Sequence, residues 1–174
     1  MTDADFPAPF PCPVARVRPE WIDYNGHMNM AFYSLAFDQA LDAAHDALGI
    51  GVDYLQRSGC STFTLEAHVT YIRELKLDDP MRISWQLLDR DAKRLHFFET
   101  MEHAEEGWLA ATSEQISMHV DMSTRRSAPF PEPLQQRFAT VMQSHALLPR
   151  PPQAGHVIGI AKRGANPSAS GRPA

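Results

Sequence analysis

The stretch WIDYNGHMNMAFYSLAFDQAL, Trp21–Leu41, decides how the rest of the chain is read. Its first half is polar and turn-forming: Asp23, Asn25, Gly26, His27 and Asn29 stand close together. Its second half is a helix signal. From Met30 onward, Tyr33, Phe37, Ala40, Leu41, Ala44 and Leu48 recur at steps of three and four, which sets them on one helical face, and Gly49 is a natural stop. Phe32, Leu35 and Ala36 add apolar surface beside that stripe, so the helix is expected to be wrapped on more than one side.

Beyond the helix the period changes to two. STFTLEAHVTYIREL alternates Phe63, Leu65, Ala67, Val69 and Tyr71 against Thr64, Glu66, His68 and Thr70, which predicts a long half-buried strand. MRISWQLLDRD, KRLHFFETMEHA and GWLAATSEQISMHVDM follow, separated by RDAK and AEEG, short polar links suited to hairpins. The second half therefore reads as an antiparallel meander closed by a short helix over EPLQQRFATVMQSHALL.

Upstream, residues 1–13 carry Pro7, Pro9, Pro11 and Pro13 and read as an arm on the surface, followed by a short strand over Val14–Arg18 that Pro19 ends. Residues 14–148 form the one compact domain. From Pro149 to residue 174 the composition shifts to Pro, Gly, Ala and Ser, a tail expected to be mobile or held by a few contacts.

With 174 residues, 44% of them hydrophobic, the chain can build one domain with a real core. A net charge of -5 without a long Lys/Arg block argues against nucleic acid as a partner. No run approaches the ~18 apolar residues of a membrane helix. The acidic, proline-broken N-terminus lacks the character of a secretion signal, and Cys12 with Cys60 makes no disulfide framework. A cytoplasmic protein is the expectation. His68, His96, His103 and His119 are scattered over strands without ligand spacing, so no metal is expected.

A carboxylate in the loop before an apolar helix admits two readings. Asp23 or Asn29 can cap the helix, a common use of both residue types. Alternatively Asp23 can act on a carbonyl, as general base on water or as nucleophile. The unpaired backbone N–H groups of a helix start, here near Met30 and Ala31, can hold the oxygen of a tetrahedral intermediate, a contribution of ~3 kcal/mol when well placed. No Ser stands in a G-x-S-x-G elbow, and neither cysteine has a catalytic surrounding.

DYNGHMNMAFY, followed by AHVTYIRELKLDDPMRIS, resembles the acyl-CoA thioesterases of the 4-hydroxybenzoyl-CoA thioesterase type, whose pattern is approximately D-x-x-G-H-V-N-N-x-x-Y. The resemblance runs from Val14 to Pro131. It implies an α+β hotdog fold, an antiparallel sheet of five or six strands wrapped around one long helix. It also implies thioester hydrolysis, with Asp23 and the Met30 N–H as the reacting pair and His27, Asn25 and Asn29 in the supporting loop. Two positions depart from the pattern: Trp21 stands where many relatives carry a second acid, and Met30 where a second Asn is usual.

TLEAHVTYIRELKLDDP, LLDRDAKRLHFFETM and ATSEQISMHVDM are similar to the betainyl-CoA thioesterases associated with carnitine breakdown. That likeness implies a cationic acyl group boxed by Trp21, Tyr24 and Tyr33, with Glu66 as counter-charge. Coenzyme A, part of the substrate and not a separate cofactor, calls for basic groups, for which Lys93, Arg94, Arg125 and Arg126 are candidates. An open sheet edge implies a homodimer or a dimer of dimers. Two alternatives share the fold: an enoyl-CoA hydratase-like enzyme and a non-catalytic acyl-CoA binder.

Overall fold

Asn29 and Gly49 bracket the central helix α1, Met30–Leu48. The Asn29 Oδ1 accepts the Ala31 N–H at 3.0 Å, and Gly49 turns the chain out at φ 81°. In this computed structural model, which describes residues 6–160, α1 buries Tyr33, Ala36, Phe37, Ala40, Leu41, Ala44 and Leu48 together with His45. That is the face the three-and-four spacing predicts. Against it pack Trp85, Leu87, Leu95, Phe97 and Met101, each no more than 1% exposed.

These five come from the meander. Strands β3 (Cys60–Tyr71), β4 (Pro80–Arg90), β5 (Arg94–His103) and β6 (Leu109–Asp121) are long, and three short strands complete the sheet: β1 (Phe10–Pro11), β2 (Ala15–Arg16) and β7 (Arg126–Ser127). The sheet is antiparallel in the order β1-β4-β5-β6-β3, with β2 also on β4 and β7 also on β6. Seven strands stand where five or six were expected, because two-residue pairings at the margins are invisible to periodicity. Helix α2, Val52–Ser58, was likewise unmarked in the sequence; α3, Glu132–His145, falls where its pattern predicts.

The arm does not lie loosely on the surface. Phe6 is 5% exposed, stacked on Phe10 at 4.9 Å and edge-on to Trp85 at 6.1 Å. His145, fully buried at the end of α3, staples this arrangement: its Nδ1 accepts the Leu87 N–H at 2.9 Å, so its Nε2–H donates to the Pro7 carbonyl at 2.9 Å. At the other terminus the tail is held as far as Gly155, whose N–H donates to Glu114 Oε2 at 2.6 Å. Residues 161–174 of the expected mobile segment lie outside the described residues.

Strand β3 is an edge. Phe63, Leu65, Tyr71 and Ile72 are 40–51% exposed along or just beyond it. The expectation that Phe63 and Leu65 share a face with Ala67, Val69 and Tyr71 fails at a β-bulge: Thr64 pairs with Ser117 and Glu66 with Ile116, leaving Leu65 unpaired. Ala67, Val69 and Tyr71 oppose the buried Gln115, Ser113 and Ala111, whereas on the other side of the bulge Thr62 and Thr64 oppose the buried His119 and Ser117.

Candidate active site

The polar run ahead of α1 folds into a tight hairpin-like loop. Ile22 and Met28 bridge, the Asp23 N–H donates to the His27 carbonyl at 3.0 Å, and the Gly26 N–H donates back to the Asp23 carbonyl at 3.0 Å. Gly26 sits at φ 82°, a conformation that side chains resist. The Asn25 N–H donates to Asp23 Oδ1 at 2.8 Å, which fixes the carboxylate with its side chain 15% exposed. Two further bonds dock the loop: Met28 N–H to the Leu75 carbonyl at 2.8 Å and Asn29 N–H to the Trp21 carbonyl at 2.9 Å.

The start of α1 opens on the same cleft. Asn29 takes the Ala31 N–H through its side chain and the Phe32 N–H through its carbonyl at 3.0 Å. The Met30 N–H finds no acceptor among the described residues, and it is this donor that remains at the positive end of the helix. Asn29 thus does cap α1, and Asp23 does not.

Asp23, His27, Met30, Tyr33, Tyr71 and Glu74 line a cleft of about 440 Å³. His27 stands between the two acids, its Nδ1 4.0 Å from Asp23 Oδ1 and its Nε2 3.9 Å from Glu74 Oε2. The rings of Tyr33 and Tyr71 meet edge to face at 5.3 Å and 82°, and the Tyr71 hydroxyl donates to the Met30 carbonyl at 3.3 Å. Burial pushes the Tyr33 phenol up, against the lowering effect of the Leu75 N–H, so it stays protonated at neutral pH. An acid, a free N–H and an aromatic corner around one cavity can bind an acyl group and polarise its carbonyl.

Of the other residues expected to meet the substrate, Tyr24 lines this cleft, and Trp21, Asn25 and Glu66 do not. Trp21 is 3% exposed and packs in the core, stacked on Phe32 at 5.7 Å with the Arg18 guanidinium 5.1 Å from its ring centre. Tyr24 stands at the rim of the cleft, 97% exposed. Asn25 contributes its backbone N–H to Asp23. Glu66 lines a separate cavity of about 270 Å³ with His68, His96 and Glu114.

Of the basic candidates, Arg94 is paired to Asp91 at 2.6 Å and Lys93 Nζ reaches Ser127 Oγ at 3.4 Å. Arg125 stands 5.8 Å from the Phe63 ring centre, and Arg126 begins β7. All four lie toward the Cys60 end of β3, whereas Asp23 faces the Tyr71 end; the strand between is about 36 Å long at the usual rise. Tyr71 and Glu74 escaped the sequence reading. Tyr71 had a signal, as the end of the long alternating strand; Glu74 had none, since it is one of several charged residues in the turn that follows.

Three of the histidines that raised the question of metal have separate polar partners. His96 pairs with Glu114 at 2.7 Å, His119 bonds Tyr54 at 2.9 Å, and His103 lies 3.8 Å from Asp79. Among the described residues no three His, Cys, Asp or Glu side chains group as a metal site, and no helix is long and apolar enough to cross a membrane.

A long helix held by an antiparallel sheet, with an acid in the loop before it, defines the hotdog thioesterase class. The chain belongs to the thioesterase-like superfamily, whose family model matches residues 17–138. A betainyl-CoA thioesterase of Pseudomonas aeruginosa is 40% identical over 144 residues, 83% of this chain and 91% of that protein. A Rhizobium meliloti protein described as L-carnitine dehydrogenase/betainyl-CoA thioesterase is 35% identical over 83% of this chain, which spans 29% of that longer relative. In structure, a Staphylococcus aureus protein solved in complex with CoA superposes with a TM-score of 0.80 at 34% identity, covering 86% of this chain and 94% of that one.

Proposed function

We propose that this chain hydrolyses an acyl-CoA whose acyl group is short and cationic, with betainyl-CoA as the substrate. One observation carries the reading: the Asp23 carboxylate and the unpaired Met30 N–H face one cleft whose wall is the Tyr33–Tyr71 corner. The thioester carbonyl accepts the Met30 N–H, and Asp23 either draws a proton from the attacking water or adds to the carbonyl carbon itself. CoA leaves as the thiol, water is the co-substrate, and the reaction needs no cofactor. His27 and Glu74 hold the loop and its charge. The betainyl assignment draws on the Pseudomonas aeruginosa and Rhizobium meliloti relatives and on aromatic faces, which attract quaternary ammonium.

A second copy completes the site. The open edge of β3 pairs with its own twin, as the exposed Phe63, Leu65, Tyr71 and Ile72 favour, and the antiparallel pairing carries the Arg125 end of the partner to the Asp23 end of this chain. Basic groups about 36 Å away in one chain then flank the cleft and serve the CoA phosphates. Light scattering at micromolar concentration should give at least a dimer mass; a monomer would refute this assembly.

Thiol release from a panel of acyl-CoAs tests the activity. A thioesterase frees CoA, a hydratase alters only the acyl chain, and a binder does neither. Absence of thiol release across betainyl, short and medium acyl-CoAs would overturn the proposal.

A further inference from the structure

A short cationic acyl group carries its charge close to the reacting bond. Betaine repeats the N–Cα–C skeleton of an amino acid, so its quaternary nitrogen lies about 2.5 Å from the thioester carbonyl carbon. With that carbon about 3–3.5 Å from the reacting Asp23 oxygen, the positive charge falls inside the Asp23 cleft itself. Whatever else in this cleft can hold it decides which acyl groups are accepted.

Asp23 is poorly suited to be the sole counter-charge. A cation paired with its carboxylate stabilises the ionised form and makes it a weaker base and nucleophile. Among the described residues that line the cleft, Glu74 is the other carboxylate. Its Oε2 lies 3.9 Å from His27 Nε2 and its Oε1 3.9 Å from Lys76 Nζ, both beyond hydrogen-bond distance. Lys76 is an exposed side chain in a loose pair, which a better-seated cation displaces at little cost. Arg73, also on the cleft, has its guanidinium drawn onto the Trp108 ring, 4.1 Å from its centre. Glu74 is therefore charged, at the cleft and weakly committed.

The aromatic corner supplies the other half of a cation site. Tyr33 is buried, so the ring that the corner presents to the cavity is that of the exposed Tyr71, three residues before Glu74. A trimethylammonium head has no N–H to donate. An aromatic ring and a carboxylate a few ångströms away can hold it without hydrogen bonds, which is how Glu74 is presented. The spacing also suits a compact head. Asp23 and Glu74 stand at opposite nitrogens of one imidazole, that of His27, so the nitrogen can face Glu74 while the adjoining carbonyl faces Asp23.

We propose that Glu74 determines specificity: its carboxylate, with the Tyr71 ring, holds the quaternary nitrogen of the acyl group while Asp23 acts on the carbonyl beside it. The inference rests on the hydrolase reading above and names the residue that gives it a preference for a cation. Asp23 then supplies the chemistry and Glu74 the selection, within one cleft.

Two substitutions at this exposed position test it. Glu74→Gln should lower the ratio of kcat/KM for betainyl-CoA over uncharged 3,3-dimethylbutyryl-CoA by about tenfold or more, because the two acyl groups differ in charge and hardly in shape. Glu74→Asp, which keeps the charge, should retain more of that preference than Glu74→Gln. A merely structural role for Glu74 would slow both substrates alike and leave the ratio where it was. An unchanged ratio in Glu74→Gln, or an equal loss in Glu74→Asp, would overturn selection by Glu74, while thiol release by the wild type leaves the hydrolase reading standing. No thiol release by the wild type from either substrate would overturn both.

Discussion

The hydroxyl of Tyr33 accepts the backbone N–H of Leu75 at 3.0 Å, and this bond joins the two walls of the cleft, helix α1 and the turn that carries Glu74. Leu75 is fully buried, so its N–H has no water to turn to. Tyr33→Phe should cost about 1–3 kcal/mol in urea denaturation, the penalty of a buried unsatisfied donor, and lower kcat/KM as the turn shifts. Unchanged stability would mean that the turn is held by other bonds.

Asp23→Asn should leave the melting temperature near that of the wild type, because an Asn oxygen can still accept the Asn25 N–H. Turnover of acyl-CoA should fall by about 100-fold or more, since an amide can serve neither as base nor as nucleophile. Thiol release at saturating substrate measures it. Single turnover in ¹⁸O-water tests the nucleophilic route, because label in the Asp23 carboxyl can arise only from an anhydride opened at the enzyme-side carbonyl.

Asn29 spends its side chain on the Ala31 N–H, so Asn29→Ala should destabilise the protein by about 1 kcal/mol, and Asn29→Asp should recover most of that loss. Chemical denaturation reads the stability. The rate should fall in the alanine variant as well, because the frayed first turn no longer aims the Met30 N–H.

Glu99 is buried beneath α1, and its Oε1 has no hydrogen-bond partner among the described residues, while Gln115 Nε2 donates to Oε2 at 2.9 Å. Burial raises its carboxyl well above 4.5, against the Gln115 bond, with Asp38 adding to the rise. The native state therefore holds this proton where the unfolded chain gives it up. Stability from this group is full below about 4.5 and is lost as pH rises toward the raised native value, at about 1.4 kcal/mol per pH unit. Glu99→Gln removes that dependence. The variant should be more stable than the wild type at pH 7, with the gap closing near pH 4.5, as paired denaturation curves would record; a gap independent of pH would mean that Glu99 is ionised in the folded protein.

Helix α1 and the meander were legible because burial imposes periods of 3.6 and 2, and little else competes over such long segments. Asp23, His27, Asn29, Met30 and Tyr33 were legible because a loop and the helix it starts are neighbours in both sequence and space. Trp21 was assigned to the cleft for its aromatic character, yet its position before the loop points it inward onto Phe32. Glu66 was chosen as the counter-charge, while Glu74 is the glutamate that lines the Asp23 cleft, reached through a turn that sequence spacing cannot aim. The arm misled for a related reason: its prolines announce an irregular path but do not say that Phe6 and Phe10 pack on Trp85 and on each other.

Leu65 stands outside the ladder, and that single unpaired position decides which side of β3 is which. Drawn into register, it would face α1 together with Phe63, and Thr62 with Thr64 would turn to the opposite side. The small cleft that Thr62 and Thr64 line beside His45 would then be greasy, with no substitution in its walls. Deleting Leu65 would keep every existing partner, whereas absorbing Leu65 itself into a straight ladder would invert the segment from Cys60 to Thr64. The polarity of one end of this strand is set by a residue count and not by the residues themselves.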